Sequence, residues 1–484
     1  MRPNMKGLTS LSLAVALSGS LLAGCAGGSD PKNAGGQASS PSSGEVYDNG
    51  LPKNEKVTLK VGFFMGGYGR EWFDYAVKSF KEKYPNVSFD VTASADMKNM
   101  IQTKVSANND ADMFDIFNTT PPAGAQGIVS LAEAGKLESW DELFDKKLPD
   151  VPDKTVKDLI LPGMYESFTR VNGKVYEFAS SSSFGGLFYN KTLFEKNGWN
   201  QNPKTWSEFT KLLADIKAAG IAPITFPGVH PNYYDWAFGP AKMFELADMK
   251  GGADKFIENF KTYTGPQYLS EESIEHWNRL YELGKQGYFP EGLPALTHTQ
   301  SQMQVIQGQA AMVSTGSHVE NEMKKTTPAD FKWGYMAVPF RDKADQKLWV
   351  RSGITNFLYL WGGKPELNKK WSKEFALWLL TLENQQFAAE KSGALPMRKD
   401  LTDDSSKVVK LSSSAQAILN YIKENDARAY KAHRTVSISD PNLAKAVKIV
   451  EEATVKIVLG KQDPKPILEE AEALLQKAVA AQKK

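Results

Sequence analysis

The chain has 484 residues, 41% hydrophobic and 11% aromatic, and its 58 basic and 56 acidic side chains leave a formal net charge of +2. That near-neutral balance argues against nucleic acid as a partner, and the apolar content is ample to fill globular cores. A single cysteine, Cys25, excludes disulfides within the chain and removes cysteine nucleophiles and cysteine-based metal sites from the folded part.

Arg2 and Lys6 precede an apolar run from Leu8 to Leu22 that ends in Leu22-Ala23-Gly24-Cys25. At about 15 residues the run is too short to span a hydrocarbon core of ~30 Å. It reads as a signal peptide over 1–24 followed by a bacterial lipoprotein box. Small residues before the cysteine let a signal peptidase reach the backbone, and the thiol takes a diacylglyceryl group; two acyl chains anchor where one holds only marginally. Removal of Arg2 and Lys6 leaves a formally neutral mature chain. Residues 25–52, rich in Gly, Ser, Pro, Asn and Ala, are predicted to be a lipidated cysteine and a flexible tether.

The remainder is too long for one core, so two or more domains are expected. Val57, Leu59, Val61 and Phe63 alternate along a first strand. Arg70 to Lys83 is predicted helical, with Trp72, Ala76, Phe80 and Tyr84 on one face, stopped by Pro85-Asn86. Val87, Phe89 and Val91 give a second strand, Met97 to Val105 a helix, and Met113 to Phe117 a third strand. The loop Gly66-Gly67-Tyr68-Gly69 lacks both the Lys-Ser/Thr end of a P-loop and the spacing of a dinucleotide fingerprint. In open α/β sheets ligands sit beyond the carboxyl ends of strands, which makes Gly67, Tyr68, Asn118 and Thr119 candidates. Amides, hydroxyls and a flat ring are what a sugar needs.

The stretch Gly173 to Phe209 organises the rest of the chain. Val175, Tyr176, Phe178 and Ala179 are apolar, Ser180 to Ser183 interrupt them, and Leu187, Phe188 and Tyr189 resume. The pattern reads as one strand, a polar crossing and a second strand, where a chain could leave one lobe for another. A helix from Lys191 is predicted to stop at Asn197-Gly198, and another opens at Thr205 with Glu208 at the capping-box spacing.

The residues Gly173-Lys174-Val175-Tyr176, Tyr189-Asn190-Lys191, Leu193-Phe194-Glu195, Gly198 and Pro203-Lys204-Thr205-Trp206 with Glu208-Phe209 resemble the extracellular solute-binding proteins of sugar ABC importers. Downstream segments extend the resemblance over nearly the whole mature chain. Gly220-Ile221-Ala222-Pro223-Ile224 is similar to the family's turn into a strand. Then His230, Tyr233, Tyr234 and Trp236 place four rings in seven residues, and the resemblance implies that this loop supplies stacking aromatics to a cleft. Gly308-Gln309-Ala310-Ala311-Met312 is widely shared in the family. Thr297-His298-Thr299 with Ser301-Gln302, and Glu320-Asn321-Glu322, look like a narrower subgroup that binds N-acetylglucosamine and its β-linked disaccharide. His318 departs from that subgroup, where tryptophan is expected. Val350 to Leu360, opened by Arg351-Ser352-Gly353, is expected to recross; Trp371 to Leu382, extended by Glu383 to Gln386, is expected to be one helix. Gly393-Ala394-Leu395-Pro396 is similar to a segment near the last crossing, and Leu443 to Val479 is helical with a break at Gly460 to Pro464.

The resemblance implies an α/β, two-lobe periplasmic-binding-protein-like fold with hinge-crossing segments. Lobe 1 is expected over 53–181 plus 342–392 and lobe 2 over 182–341 plus 393–484. A mono- or oligosaccharide is expected between them, held by Gly67, Tyr68, Asn118, Thr119, Ser183, His230, Tyr233, Tyr234, Trp236, His318 and Arg351. The partners implied are that carbohydrate, a membrane ABC permease and the lipid anchor at Cys25, with the protein a monomer on the outer face of the bacterial cytoplasmic membrane. No cofactor, metal or catalytic residue is expected. The alternative is a secreted lipoprotein carbohydrate-active enzyme such as a glycosidase, which would need two carboxylates across a cleft at ~5–10 Å. No Gly-x-Ser-x-Gly, His-Glu-x-x-His or His/Cys cluster supports a hydrolase or zinc reading.

Overall fold

The computed structural model describes residues 45–121, 124–161, 164–166, 168–403, 411–436 and 438–482. The expected signal peptide, Cys25 and most of the expected tether lie outside the described residues. Val57, Leu59, Val61 and Phe63 form the buried face of the strand Val57–Phe64. It pairs in parallel with Val87–Ser94 on one side and Ile116–Phe117 on the other. The helix Glu71–Lys83 buries Trp72, Phe73, Ala76 and Phe80 against this sheet, and Met97–Ala107 follows the second strand.

Two long antiparallel strands tie this first half to a second. Phe178–Asn190 pairs with Trp349–Leu360 from Phe178↔Leu358 to Phe184↔Ser352. Past that point Phe178–Asn190 leaves its partner and is flanked by Ala310–Gly316 and Trp333–Met336, while Tyr359 and Leu360 pair back to the strand Ile116–Phe117. One ladder therefore runs from Val87–Ser94 in the first half to Ala222–Thr225 in the second, through both crossing strands.

Around the second half's strands pack Trp206–Ala218, Pro240–Met249, Glu271–Lys285 and the terminal pair Pro441–Val458 and Pro464–Gln482. Thr205 caps Trp206–Ala218 through Glu208 N, as its spacing predicts, but the Glu208 carboxylate accepts from Lys204 N rather than Thr205 N, so the box is only half closed. Among the described residues no helix is long and apolar enough to cross a membrane.

Four expectations need correction. The polar crossing at Ser180 to Ser183 is not a break between strands: Phe178–Asn190 is one strand, with the serines buried. Hydroxyls can lie there because neighbouring chains satisfy them: Ser180 Oγ donates to Asn356 O, Ser182 Oγ to Pro396 O, and Ser181 Oγ accepts from Asn356 Nδ2. The expected tether gives way to folded chain by Glu45. Val46 and Pro52 form a bridge, the Tyr47 hydroxyl donates to Asn86 Oδ1, and its ring stands edge-on to Tyr84 and Trp371 at 4.9 and 5.8 Å. The third strand shrinks to Ile116–Phe117, since the Asp115 carboxylate engages Lys60 N from the side. Finally, the single helix expected from Trp371 onward is two, Glu366–Trp378 and Leu382–Ser392. Thr381 turns extended between them, and both Thr381 and Asn384 side chains donate to Trp378 O, taking over a carbonyl that a continuing helix would have used.

Candidate functional site

The loop carrying the four rings is fixed from below. Pro231 opens a short turn, Pro231–Tyr234, that runs into Asp235–Phe238. Ser314, buried on the strand Ala310–Gly316, donates to Tyr233 O at 2.7 Å and accepts from Ala237 N at 3.2 Å. The backbone of this loop lies so close to the neighbouring strands that a Cβ on Gly185 would stand 2.6 Å from Trp236 O, and one on Gly316 2.6 Å from the Trp236 ring. Glycine is required at both positions for Trp236 to sit where it does.

Trp236 is half-buried. The Arg351 guanidinium covers its ring at 4.1 Å, and Arg351 Nη1 is 3.3 Å from Asp235 Oδ2. Burial raises the Asp235 pKa, with Arg351 pulling it back down. The Tyr233 ring lies 6.2 Å from Trp236 and 4.7 Å from His298. Desolvation pushes the Tyr233 hydroxyl up to about 12, aided by the charge of Glu322, so it remains a donor at neutral pH.

On the far side of Trp236 the two halves touch. His318, buried just past Gly316, stands edge-on to Trp236 at 5.5 Å and to Tyr68 at 5.8 Å. The Tyr68 hydroxyl is 3.1 Å from Ser317 Oγ and also engages Ser183 and Thr355; burial holds its pKa up at about 12. Asn321 Nδ2 donates to Gly67 O at 2.6 Å. Behind this seam Glu322 Oε2 accepts from Gln302 Nε2 at 2.9 Å and lies 2.7 Å from His298 Nε2. Burial works to raise the Glu322 pKa, but the bond from His298, the charges of His318 and His298 and the bond from Gln302 outweigh it and bring it down to about 2.

Two cavities open on Trp236 and Arg351. The larger, 940 Å³, runs among the helices Pro240–Met249, Ala253–Thr262, Glu271–Lys285 and Pro441–Val458, and Tyr233, Tyr234, Tyr268 and Trp277 also line it. The smaller, 210 Å³, includes Ser183, Gly353 and Lys431 in its wall.

The structure thus brings Gly67, Tyr68, Ser183, Tyr233, Trp236, His318 and Arg351 into one chain of contacts. It does not bring all the sequence candidates there. Tyr234 turns away from Trp236, packing 5.3 Å from Trp277 in the larger cavity. His230 is exposed, its ring 6.5 Å from Tyr233. Asn118 spends its Oδ1 on Phe64 N at 2.5 Å, clamping the end of the first strand, and Thr119 is buried beside it. The first-half candidates Gly67, Tyr68, Asn118 and Thr119 do not line the larger cavity. Sequence reasoning does not single out Asp235, Ser317, Asn321 or Glu322 as site residues. The signal that could find the last two is the Glu320-Asn321-Glu322 segment, which the sequence presents only as a family likeness.

A family model described as bacterial extracellular solute-binding protein matches residues 66–386. The chain belongs to this family. Among curated relatives of this solute-binding protein, the diacetylchitobiose binding protein NgcE of Streptomyces coelicolor is 27% identical over 321 residues, covering 63% of this chain and 64% of that relative. The match therefore spans slightly less than two thirds of the relative's length. The sn-glycerol-3-phosphate-binding periplasmic protein UgpB of Brucella abortus is 26% identical over 380 residues, 76% of this chain and 79% of that one. Among solved structures, a chitin oligosaccharide binding protein superposes with a TM-score of 0.66 at 22% identity, covering 88% of this chain and 99% of its own. RafE in complex with raffinose gives 0.65 at 17% identity over 87% and 100%. These likenesses confirm the two-lobe α/β architecture that the sequence implies.

Proposed function

We propose that this solute-binding protein captures a neutral mono- or oligosaccharide, with N-acetylglucosamine or a chitooligosaccharide the leading class, and hands it to an ABC permease. The observation that carries the reading is the Trp236–Arg351 platform at the wall of a 940 Å³ cavity, with Tyr233 and Tyr234 beside it. A flat ring and a few fixed polar groups at the edge of a cavity within the usual ~300–1,000 Å³ range suit a pyranose. The names of NgcE and of the chitin oligosaccharide binding protein favour the same class. The charge of the wall does not favour a glycerol phosphate: Arg351 and Arg434 are set against Asp235, Glu271, Glu272 and Glu451, with Arg351 engaged by Asp235 and Lys250 pairing with Glu271 and Glu272. A wall with no surplus of positive charge suits a polyhydroxyl ligand better than a phosphate dianion.

In this reading residues 53–181 plus 342–392 form one lobe, joined by the folded stretch from Glu45, and 182–341 plus 393–484 form the other. Sugar binding shifts an equilibrium between open and closed arrangements by its differential affinity for the two. Cys25 carries the lipid that holds the monomer at the outer face of the cytoplasmic membrane. In this reading the sugar is held and released unchanged, and the two carboxylates nearest the ring cluster serve to position other groups: Asp235 engages Arg351, and Glu322 engages His298 and Gln302.

Titration calorimetry with diacetylchitobiose, raffinose and glycerol 3-phosphate tests this. Saturable heat with a neutral sugar, and recovery of that sugar intact, supports the reading. New reducing ends would make the protein a glycosidase, and heat with glycerol 3-phosphate alone would overturn the ligand class.

A further inference from the structure

The seam behind Trp236 holds a cluster of donor atoms, from His298, Gln302, His318 and Glu322, that lines neither of the two cavities. Thr297 caps the helix His298–Ile306 through a capping box with Gln300, which fixes His298 as the first helical residue and puts Gln302 one turn further on the same face. His318 follows the strand Ala310–Gly316, and Glu322 lies one turn beyond it, across the short helix Val319–Met323. The two segments face each other. One ring nitrogen of His298, one of His318 and a carboxylate oxygen of Glu322 lie within 4.8 Å of one another.

An ionic pair accounts for His298 and Glu322 alone, at 2.7 Å. It leaves the His318 ring and the Gln302 carbonyl oxygen without good partners. The nearly buried His318 has its Nε2 3.8 Å from Glu322 Oε2 and 3.5 Å from Thr315 Oγ1, neither a good hydrogen bond. Gln302 is 1% exposed; its Nε2 donates to Glu322 Oε2 at 2.9 Å and lies 3.1 Å from His298 Nε2, while its Oε1 is buried without a partner. In the metal-free protein the bond to Glu322 sets the amide with its NH₂ toward the carboxylate; an ion bound there would take over that carboxylate oxygen, and the amide turned over would place its own oxygen among the other three donors.

We infer that His298, His318 and Glu322, with the Gln302 amide oxygen as fourth donor, form a site for one divalent transition-metal ion of the zinc class. Two imidazoles, one carboxylate and one amide oxygen make a four-coordinate borderline set, whereas calcium and magnesium take shells of oxygen. Donors each at ~2.0–2.2 Å from one ion stand at most ~4.4 Å apart, so the cluster needs only side-chain adjustment to close. The same Glu322 lies against Gly67, whose carbonyl Asn321 holds, so a bound ion would stiffen the face on which the first half rests.

Titration of the metal-free full-length chain with Zn²⁺, and separately with Mg²⁺ and Ca²⁺, tests the site without any sugar, so its outcome is separate from that of the transport reading. One saturable Zn²⁺ site is expected, with none for Mg²⁺ or Ca²⁺. His298→Ala and Glu322→Gln should each weaken it by at least the roughly 10- to 100-fold that changes around a metal site cost, while His433→Ala, at a histidine bonded to Lys431 O, leaves it intact. Because the variants could fail to fold, the unsubstituted protein supplies a second readout: Zn²⁺ should protect His298 and His318, but not exposed His230, from diethyl pyrocarbonate. No saturable Zn²⁺ binding, or binding that survives both substitutions in folded protein without that protection, overturns the inference.

Discussion

The Arg351 guanidinium lies 4.1 Å from the centre of the Trp236 ring while its Nη1 stands 3.3 Å from Asp235 Oδ2. One residue of the crossing strand Trp349–Leu360 is thereby tied to two consecutive contacts on the loop that carries the rings. Asp235 orients the cation, the cation covers one face of the indole, and the half-buried remainder of Trp236 borders both cavities. Trp236→Ala should weaken sugar binding by ~10- to 100-fold, since each tenfold is about 1.4 kcal/mol and a buried aromatic contact is worth a few kcal/mol at most. Its cost in stability should stay below the roughly 3–5 kcal/mol of a truncated core tryptophan. Calorimetric affinity and a urea midpoint on the same protein separate the cases. A large midpoint loss with unchanged affinity would make Trp236 a core residue.

Gly67 offers a test of lobe closure. A Cβ there would stand 2.7 Å from Glu322 Oε1, and that carboxylate cannot swing aside freely because His298 and Gln302 hold its other oxygen. Gly67→Ala should therefore wedge the seam, increase the radius of gyration of the sugar-bound protein in small-angle scattering, and lower affinity severalfold. A scattering profile identical to that of the parent at saturating sugar would show that the seam does not open and close.

Most of the elements were legible because their patterns are local. Val57, Leu59, Val61 and Phe63 alternate, Trp72, Ala76 and Phe80 recur at fours, and Asn190 and Gly198 bracket the helix Lys191–Asn197 by side-chain cap and positive φ. What failed depended on distant partners. Four serines read as a polar interruption because nothing nearby announces Asn356 and Pro396 as their partners. Tyr47 reads as part of a tether until Tyr84 and Trp371 are placed against it. In the site, the ring cluster was visible as composition, but Tyr233 and Tyr234 differ by one residue and face different neighbours, His298 and Trp277. Composition cannot make that distinction.

Glu245 marks where the second half is fastened to the crossing strands. It is fully buried, pairs with Lys242 at 2.8 Å, and accepts from the backbone amides of Phe340, Arg341 and Trp349 at 2.6, 2.7 and 3.0 Å. Glu245→Gln leaves Lys242 as a buried cation without its counter-charge and turns an amide NH₂ toward amide donors. Breaking one side of a buried pair costs about 3–5 kcal/mol, and a loss of that order is expected in urea unfolding. A change under about 1 kcal/mol would mean that water or a rearranged Lys242 replaces the pair.

Acid should act on the fold through His276. That residue is buried on the helix Glu271–Lys285 at the wall of the larger cavity, its Nε2 bonded to Phe238 O and its Nδ1 without a partner. Burial is the main cause that lowers its pKa from 6.5 to about 4, with the bond to Phe238 working against it and the charge of Arg279 adding to the fall. Between those values the unfolded chain binds a proton that the folded protein does not. The contribution is therefore complete above pH 6.5, shrinks as pH falls, and is fully lost below about 4. A shift of that size corresponds to roughly 3 kcal/mol at 1.36 kcal/mol per pH unit. Burial also lowers the pKa of His318 and His433, so the parent's acid slope has more than one source. His276→Phe isolates this one: it fills the same apolar surroundings and cannot titrate. Subtracting its unfolding free energy from the parent's should give a difference that is flat above pH 6.5 and falls steadily toward pH 4. A difference that stays level across that window would mean His276 is protonated in the folded protein, or is reached by water through the cavity it borders.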